Sequence, residues 1–300
     1  MLKVENAQIK YGNFVAVENL TFEVAPGEIF GLLGANGSGK TTTFRVIMGL
    51  LTPSQGSVTY NDQVVSYETV NKIGYMIEER SLMTKLTVKN MMIYFGSLKG
   101  VSRTDILNRL DYWLHRFGVP EYRDKKIKEL SKGNQQKIQF ISALINEPTM
   151  LILDEPFSGL DVINMELFIE VIREQQAKGT LIIFSSHRID QVEKFCQKVV
   201  ILKKGVSVVE GIVKDIKKDY KKQNIHVIAD YDISKVKAIA GVIDVKINEL
   251  ESIIKIESDD ISERVFDYIK TCKNVKKFEV EAATLTEIFI ERAGITHEEV

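Results

Sequence analysis

Gly34-Ala35-Asn36-Gly37-Ser38-Gly39-Lys40-Thr41 fits a glycine, any four residues, then Gly-Lys-Ser/Thr, the pattern of a phosphate-binding loop. This stretch constrains the fold more than any other, because such a loop works only between a buried strand and a helix. The flanks supply that context. Ile29-Phe30-Gly31-Leu32-Leu33 reads as a buried strand, and Thr42 to Leu51 reads as a helix. Glycines at 34, 37 and 39 let the backbone curl until consecutive N–H groups face one oxyanion cluster. The helix N-terminus adds its partial positive charge. Lys40 can reach the β- and γ-phosphates, and the Thr41 hydroxyl is placed to ligate Mg²⁺. A glycine-rich turn that binds nothing is the competing reading, and the complete motif in context outweighs it. The sequence predicts a nucleoside triphosphate site at Gly34 to Thr41, continued into the helix by Thr42.

Composition narrows what such a chain does. Its 300 residues suit about two domains, and a net charge of −1 argues against a general nucleic-acid binder. Cys196 and Cys272 lie far apart without paired spacing, which suggests neither a disulfide framework nor a zinc site. The N-terminus lacks the apolar core of a signal peptide, and no apolar run approaches the ~20 residues that span a bilayer. The expectation is a cytoplasmic chain whose membrane role, if any, comes through a partner.

Short strands are expected at Leu2–Lys10 and Leu20–Ala25, with a turn at Tyr11-Gly12-Asn13. Tyr11 could stack on a base or serve the core, and position alone favours the core. A turn at Pro53–Gly56, then strands at Ser57–Tyr60 and at 71–77, lead to Glu78-Glu79-Arg80. From about Val88 to Phe117, apolar residues recur at helical spacing, and a further helix is expected over Asn134–Ile145. Met150-Leu151-Ile152-Leu153-Asp154-Glu155 is an apolar strand ending in two carboxylates. Asp154 is the expected Mg²⁺ partner, and Glu155 is placed to polarise water. Leu181–Phe184 is another buried strand, ending at Ser185-Ser186-His187.

Lysines at 214, 217, 218, 221 and 222 read as a solvated linker, set at 216–224. Beyond it, strand, helix, two strands, helix and strand follow in a split ferredoxin-like order, and Leu285–Ala293 reads as a last helix.

Taken together, residues 1–215 resemble the ATP-binding subunit of an ABC transporter. The decisive stretch is Leu130-Ser131-Lys132-Gly133-Asn134-Gln135-Gln136, which is similar to that family's signature, usually Leu-Ser-Gly-Gly-Gln. The resemblance implies that Ser131 and Gly133 contact the γ-phosphate held by a second subunit, and it places Asn134 among the nucleotide-binding residues. It implies that Tyr11 stacks on adenine with Val17 beside the base, that Glu155 is the catalytic base, and that His187 senses the γ-phosphate. Ser158-Gly159-Leu160-Asp161 matches the loop that crosses the dimer interface. The helical subdomain at about 80–145 would dock on the membrane subunit.

Three departures stand out: Lys132 for the first signature glycine, Asn134 for the glutamine, and Glu78 where the family usually has glutamine. Glu78 could contact the metal or serve only to couple the site to the permease. Glu78-Glu79-Arg80, the lysine-bearing signature and the extra domain resemble subunits of bacterial exporters with separate permeases.

The expected fold is a P-loop α/β domain at 1–215, with a mainly parallel sheet, an antiparallel β subdomain and a helical subdomain, followed by a small α+β domain at 225–300. The expected activity is ATP hydrolysis with ATP and Mg²⁺, in a homodimer peripheral to the inner face of the membrane and driving a permease. A soluble ABC ATPase acting on ribosomes or DNA is the alternative, and a non-hydrolysing regulatory subunit is opposed by Glu155 and His187.

Overall fold

The computed structural model describes residues 1–66, 71–78, 82–193, 195–248 and 251–294. Three strands form its centre and are buried throughout: β3 (Ile29–Leu33), β7 (Met150–Asp154) and β8 (Leu181–Ser186), apolar until β7 ends in Asp154 and β8 in Ser185 and Ser186. Burial on both faces is what runs such as Leu-Ile-Leu and Leu-Ile-Ile-Phe encode. With β6 (Ile73–Met76), β9 (Lys198–Lys203) and β10 (Val206–Ile212) they form a six-stranded sheet in the order β10-β9-β3-β8-β7-β6. The β9-β3-β8-β7-β6 pairings are parallel. Leu33 pairs with Ser186 and Asp154 with Ser185, so the ends from which the phosphate loop, the carboxylates and His187 depart lie side by side.

A four-stranded antiparallel sheet contains β1 (Leu2–Tyr11), β2 (Phe14–Val24), β4 (Gln55–Tyr60) and β5 (Gln63–Val64), in the order β2-β1-β4-β5. Its apolar face shares one core with the parallel sheet and with α1 (Lys40–Ile47), and Phe22 stacks on Phe30 at 4.5 Å. The turn at Gly12-Asn13 is present, and β2 begins at Phe14, earlier than expected. Helix α1 is shorter than the expected Thr42–Leu51, and Gly49 just past its end has a φ of +68°.

The helical segment expected from Val88 to Phe117 is two helices, α2 (Val88–Leu98) and α3 (Arg103–Arg116). Gly100, with φ +76°, ends one, and Ser102 caps the next by accepting from Asp105 N. Periodicity carried through the break because both helices bury the same kind of stripe. Helix α4 (Lys132–Leu144) and α5 (Val162–Ala177) join them through the aromatic contacts of Trp113, Phe117, Phe140 and Phe168. The short α6 (Ile189–Glu193) follows β8.

A second unit starts at Gly211. The lysine-rich stretch read as a linker at 216–224 is a correction. Val213–Asp219 forms helix α7 with Val213 and Ile216 buried, and Gln223 already opens strand β11 (Gln223–Asp230). The lysines mask an amphipathic turn because their stems flank two apolar anchors. The remaining elements are α8 (Ile233–Lys237), β12 (Val242–Ile247), β13 (Ser252–Ile256), α9 (Asp260–Ile269), β14 (Lys273–Ala282) and α10 (Leu285–Ala293). The sheet is antiparallel in the order β12-β13-β11-β14, the ferredoxin-like arrangement, over a core of Ile225, Val227, Ile254, Val265 and Ile269. Among the described residues no helix is long and apolar enough to cross a membrane. Glu79 and Arg80 lie outside the described residues.

Candidate functional site

The loop after β3 is held by the core beneath it. Gly39 caps α1 at φ +111° and supplies no side-chain cap, so the first amides of the helix stay available. A Cβ on Gly39 would lie 2.9 Å from Ala16 O and from Val17 Cγ2, and one on Gly34 would lie 2.3 Å from Leu202 O. Those two glycines are required by close approach. Gly37, at φ +77° with open space around it, is required by backbone conformation alone. Ser38 is buried, and its Oγ has no hydrogen-bond partner among the described residues.

The Lys40 side chain is buried, and Nζ donates to Gly34 O at 2.7 Å and Ala35 O at 3.2 Å. Burial holds its pKa below the usual lysine value, opposed by the charges of Glu155, Asp154 and Glu78. Asp154 is displaced in the opposite direction. Burial raises its pKa from 3.8 to about 6, against the hydrogen bond from Ser185 Oγ. The charges of Glu78 and Glu155 raise it further, while Lys40 lowers it.

Glu155 sits at φ +49°, a left-handed conformation uncommon for a glutamate. It turns the chain sharply as β7 ends, and Glu155 N donates to Ser185 Oγ at 3.1 Å. The carboxylate Oε1 accepts from His187 N at 2.8 Å and lies 2.9 Å from His187 Nδ1. Ser185 thus links both acids from the neighbouring strand. The sequence reading gave Ser185 no role, although two hydroxyls ending an apolar run were a visible signal.

A pocket of about 370 Å³ is lined by Tyr11, Ala16, Asn36, Gly37, Gly39, Lys40, Thr41, Thr42 and Glu78, with Phe14 opposite Tyr11 across the hairpin. Tyr11 is 44% exposed and Phe14 66%, which suits rings that await a planar ligand better than core aromatics. Phe14 was not singled out from the sequence. Val17 is corrected: it is fully buried beneath Gly39, and Ala16 forms the pocket wall instead. Gly34, Ala35 and Ser38 shape the loop from behind.

A second pocket of about 330 Å³ shares Thr41 and Glu78 and adds Asp154, Arg45, Tyr75 and Ile77. One hydroxyl and two carboxylates facing one space are hard oxygen donors that suit Mg²⁺. The buried, orphaned Ser38 Oγ and the glycine cradle suit a phosphate group beside it.

The signature residues are elsewhere. Ser131 is exposed and caps α4 by accepting from Asn134 N, while Asn134 Nδ2 donates to Tyr122 OH at 2.8 Å. Neither Ser131, Gly133 nor Asn134 lines either pocket. Among the described residues, a Cβ on Gly133 would meet nothing within 4 Å, so packing against them does not account for that glycine.

Comparison with known proteins gives a consistent result. The family model described as ABC transporter matches residues 17–158, and that of the DrrA1-3-like ATP-binding protein C-terminal domain matches residues 211–293. YhaQ of Bacillus subtilis, described as an uncharacterized ABC transporter ATP-binding protein, is 42% identical over 298 residues, covering 99% of this chain and all of the relative. Nod factor export ATP-binding protein I of Cupriavidus metallidurans is 31% identical over 214 residues, 70% of this chain and 71% of that one. Among solved structures, cbiO1 of Clostridium perfringens, part of the ABC transporter complex cbiONQ, matches with a TM-score of 0.64 at 28% identity. It covers 73% of this chain and 90% of that one.

Proposed function

The chain belongs to the ABC transporter ATP-binding proteins, and from that membership we propose that it is the ATP-hydrolysing subunit of an exporter, dimerising head-to-tail on ATP and driving a separate multi-helix membrane permease. One observation carries the head-to-tail part. Ser131 and Gly133 stand at an exposed helix N-terminus, outside the pockets of their own chain, with open space over the glycine. A helix N-terminus without an anion of its own fits one brought by a second copy. Export rests on the likeness to the Nod factor export protein, and a permease partner on the likeness to cbiO1. This reading puts the chain on the inner face of the membrane by way of its partner.

Within one chain, Lys40 and the loop amides bind the phosphates and stabilise the charge that builds on them during transfer. Asp154, Thr41 and Glu78 would hold Mg²⁺, which offsets phosphate charge when bound. Glu155 orients the attacking water and takes up its proton, while His187 fixes the carboxylate through Nδ1 and its backbone N–H. Tyr11 and Phe14 cover the base. His187 bridges Glu155 and the place of the γ-phosphate, so the same contact that orients the base also registers the nucleotide.

The test is Glu155→Gln in the full chain. It keeps shape and removes charge, so ATP binding should remain while hydrolysis falls by about a hundredfold or more. An ATP-dependent dimer should then persist on size exclusion. Near-normal turnover removes Glu155 from the mechanism. Recovery of the wild-type chain with ribosomes, instead of with a membrane protein from detergent extract, overturns the transport role.

A further inference from the structure

A well-formed cavity of the first unit lies at the other end of the parallel strands. It occupies about 550 Å³, within the ~300–1,000 Å³ of small-molecule sites. Three segments wall it: the α3 face carrying Tyr112 and Trp113, the turn from Leu144 to Thr149 after α4, and the end of α5 with the loop into β8. Thr149 and Thr180 directly precede Met150 and Leu181, where β7 and β8 begin. The phosphate loop and Asp154 depart from the opposite, C-terminal ends. The two sites therefore share no residue.

The chemistry of the walls is uneven in a useful way. Trp113, 5% exposed, and Leu144 with Pro148 form an apolar floor, and Tyr112, 54% exposed, meets Trp113 edge to face at 4.9 Å near the mouth. Gln175 is 5% exposed, and its Nε2 is a buried donor without an acceptor among the described residues. A buried, unpaired amide is costly, and an acceptor from outside relieves it. Lys178, at the end of α5, is an exposed ammonium beside the same space. Arg109 is already committed, to Glu147 at 2.7 Å and to Ile145 O at 2.9 Å. Besides the exposed Asn108 amide, the cavity thus offers two donors, one of them cationic, above an apolar floor.

We propose that this cavity binds a planar aromatic carboxylate, its ring against Trp113 and Tyr112 and its carboxylate against Gln175 and Lys178. Such a ligand ties α3 of the helical segment to the strand ends of the sheet, away from the nucleotide. Charge-assisted hydrogen bonds to the carboxylate select it over the uncharged ring.

Trp113 is the only tryptophan in the sequence, so its emission reports on this cavity directly. The experiment titrates the full chain with biphenyl-4-carboxylate, exciting at a wavelength selective for tryptophan, with and without saturating ATP and Mg²⁺. The expected result is a saturable change that nucleotide does not abolish. Lys178→Glu and Gln175→Leu should each weaken binding by roughly tenfold, the factor expected for losing one hydrogen bond to a charged group. Lys178→Glu changes only an exposed side chain, so it gives an answer even if the core substitution disturbs folding. A linear, non-saturating response overturns the proposal. So does unchanged affinity in Lys178→Glu, or abolition of the signal by ATP, which would place the probe in the nucleotide site.

Discussion

Two helices of the first unit present their N-termini in different ways. Helix α1 starts at a left-handed Gly39 with no side-chain cap, and buried Lys40 sits above loop carbonyls within the same chain. Helix α4 starts at an extended Ser131, whose hydroxyl caps Asn134 N, and its Gly133 faces open space. The core fixes the first terminus: Ala16, Val17 and Leu202 leave no room for a side chain on Gly34 or Gly39. Among the described residues nothing fixes the second in that way. Glycine within a helix costs about 1 kcal/mol against alanine, and at 133 no neighbouring atom of the chain requires it. The difference teaches that one terminus is shaped by its own chain, while the other is left for a partner to complete on the reading proposed above.

The sharpest way to break this comparison is to damage each terminus separately. Lys40→Ala should lose most ATP binding and reduce hydrolysis by about a hundredfold or more, because the buried cation facing the phosphates is gone. Ser131→Arg should keep ATP binding by the chain's own loop and lose both dimerisation and hydrolysis. Mixing the two variants should restore about half of the sites, measured as ATPase activity against mixing ratio. If Ser131→Arg alone leaves dimerisation and hydrolysis intact, the two termini do not differ as described.

A smaller effect tests what the finished site costs the fold. The Asp154 carboxyl holds its proton more tightly in the folded chain, with its pKa raised from 3.8 to about 6. Stability from this group is therefore present below pH 3.8 and lost as pH rises through about 6. Without Mg²⁺ at pH 7, Asp154→Asn should be more stable than the wild type by about 3 kcal/mol in denaturant unfolding, with the gap closing below pH 4. A variant no more stable at pH 7 would mean that the acid is not strained by its surroundings. No comparable pH-dependent gap is expected for Ser131→Ala.

The smallest effect concerns Glu78, which faces the same pocket as Thr41 and Asp154. Glu78→Gln should tighten ATP binding in EDTA by a fewfold and soften the Mg²⁺ dependence of hydrolysis, because one negative charge near the phosphates is removed. Unchanged affinity in EDTA, with transport by the assembled complex alone impaired, would assign Glu78 to coupling.

Particular residues show how much was legible beforehand. The phosphate loop was read completely because its chemistry is local: one backbone curl and one lysine within a single turn. Asp154 and Glu155 were legible as the polar end of an apolar strand. The βαββαβ order of the second unit was legible from its alternation. Val17 misled because its neighbour Ala16 differs from it only in which way the strand turns, and the register shift after Ile9 decides that. The break at Gly100 was hidden because both helices carry the same apolar period.

By itself, then, the sequence determined the elements whose signal lies within about ten residues: the strand–loop–helix, the capped helices, the acidic strand end and the signature turn. It could not determine which ends meet. Only the parallel register of β3, β8 and β7 brings Ser185 onto Asp154 and His187 onto Glu155. Only the tertiary structure left Ser131 and Gly133 outside the pockets and opened a cavity beside Trp113. Contacts between residues thirty or more positions apart depend on how whole faces pack, and no local pattern encodes that packing.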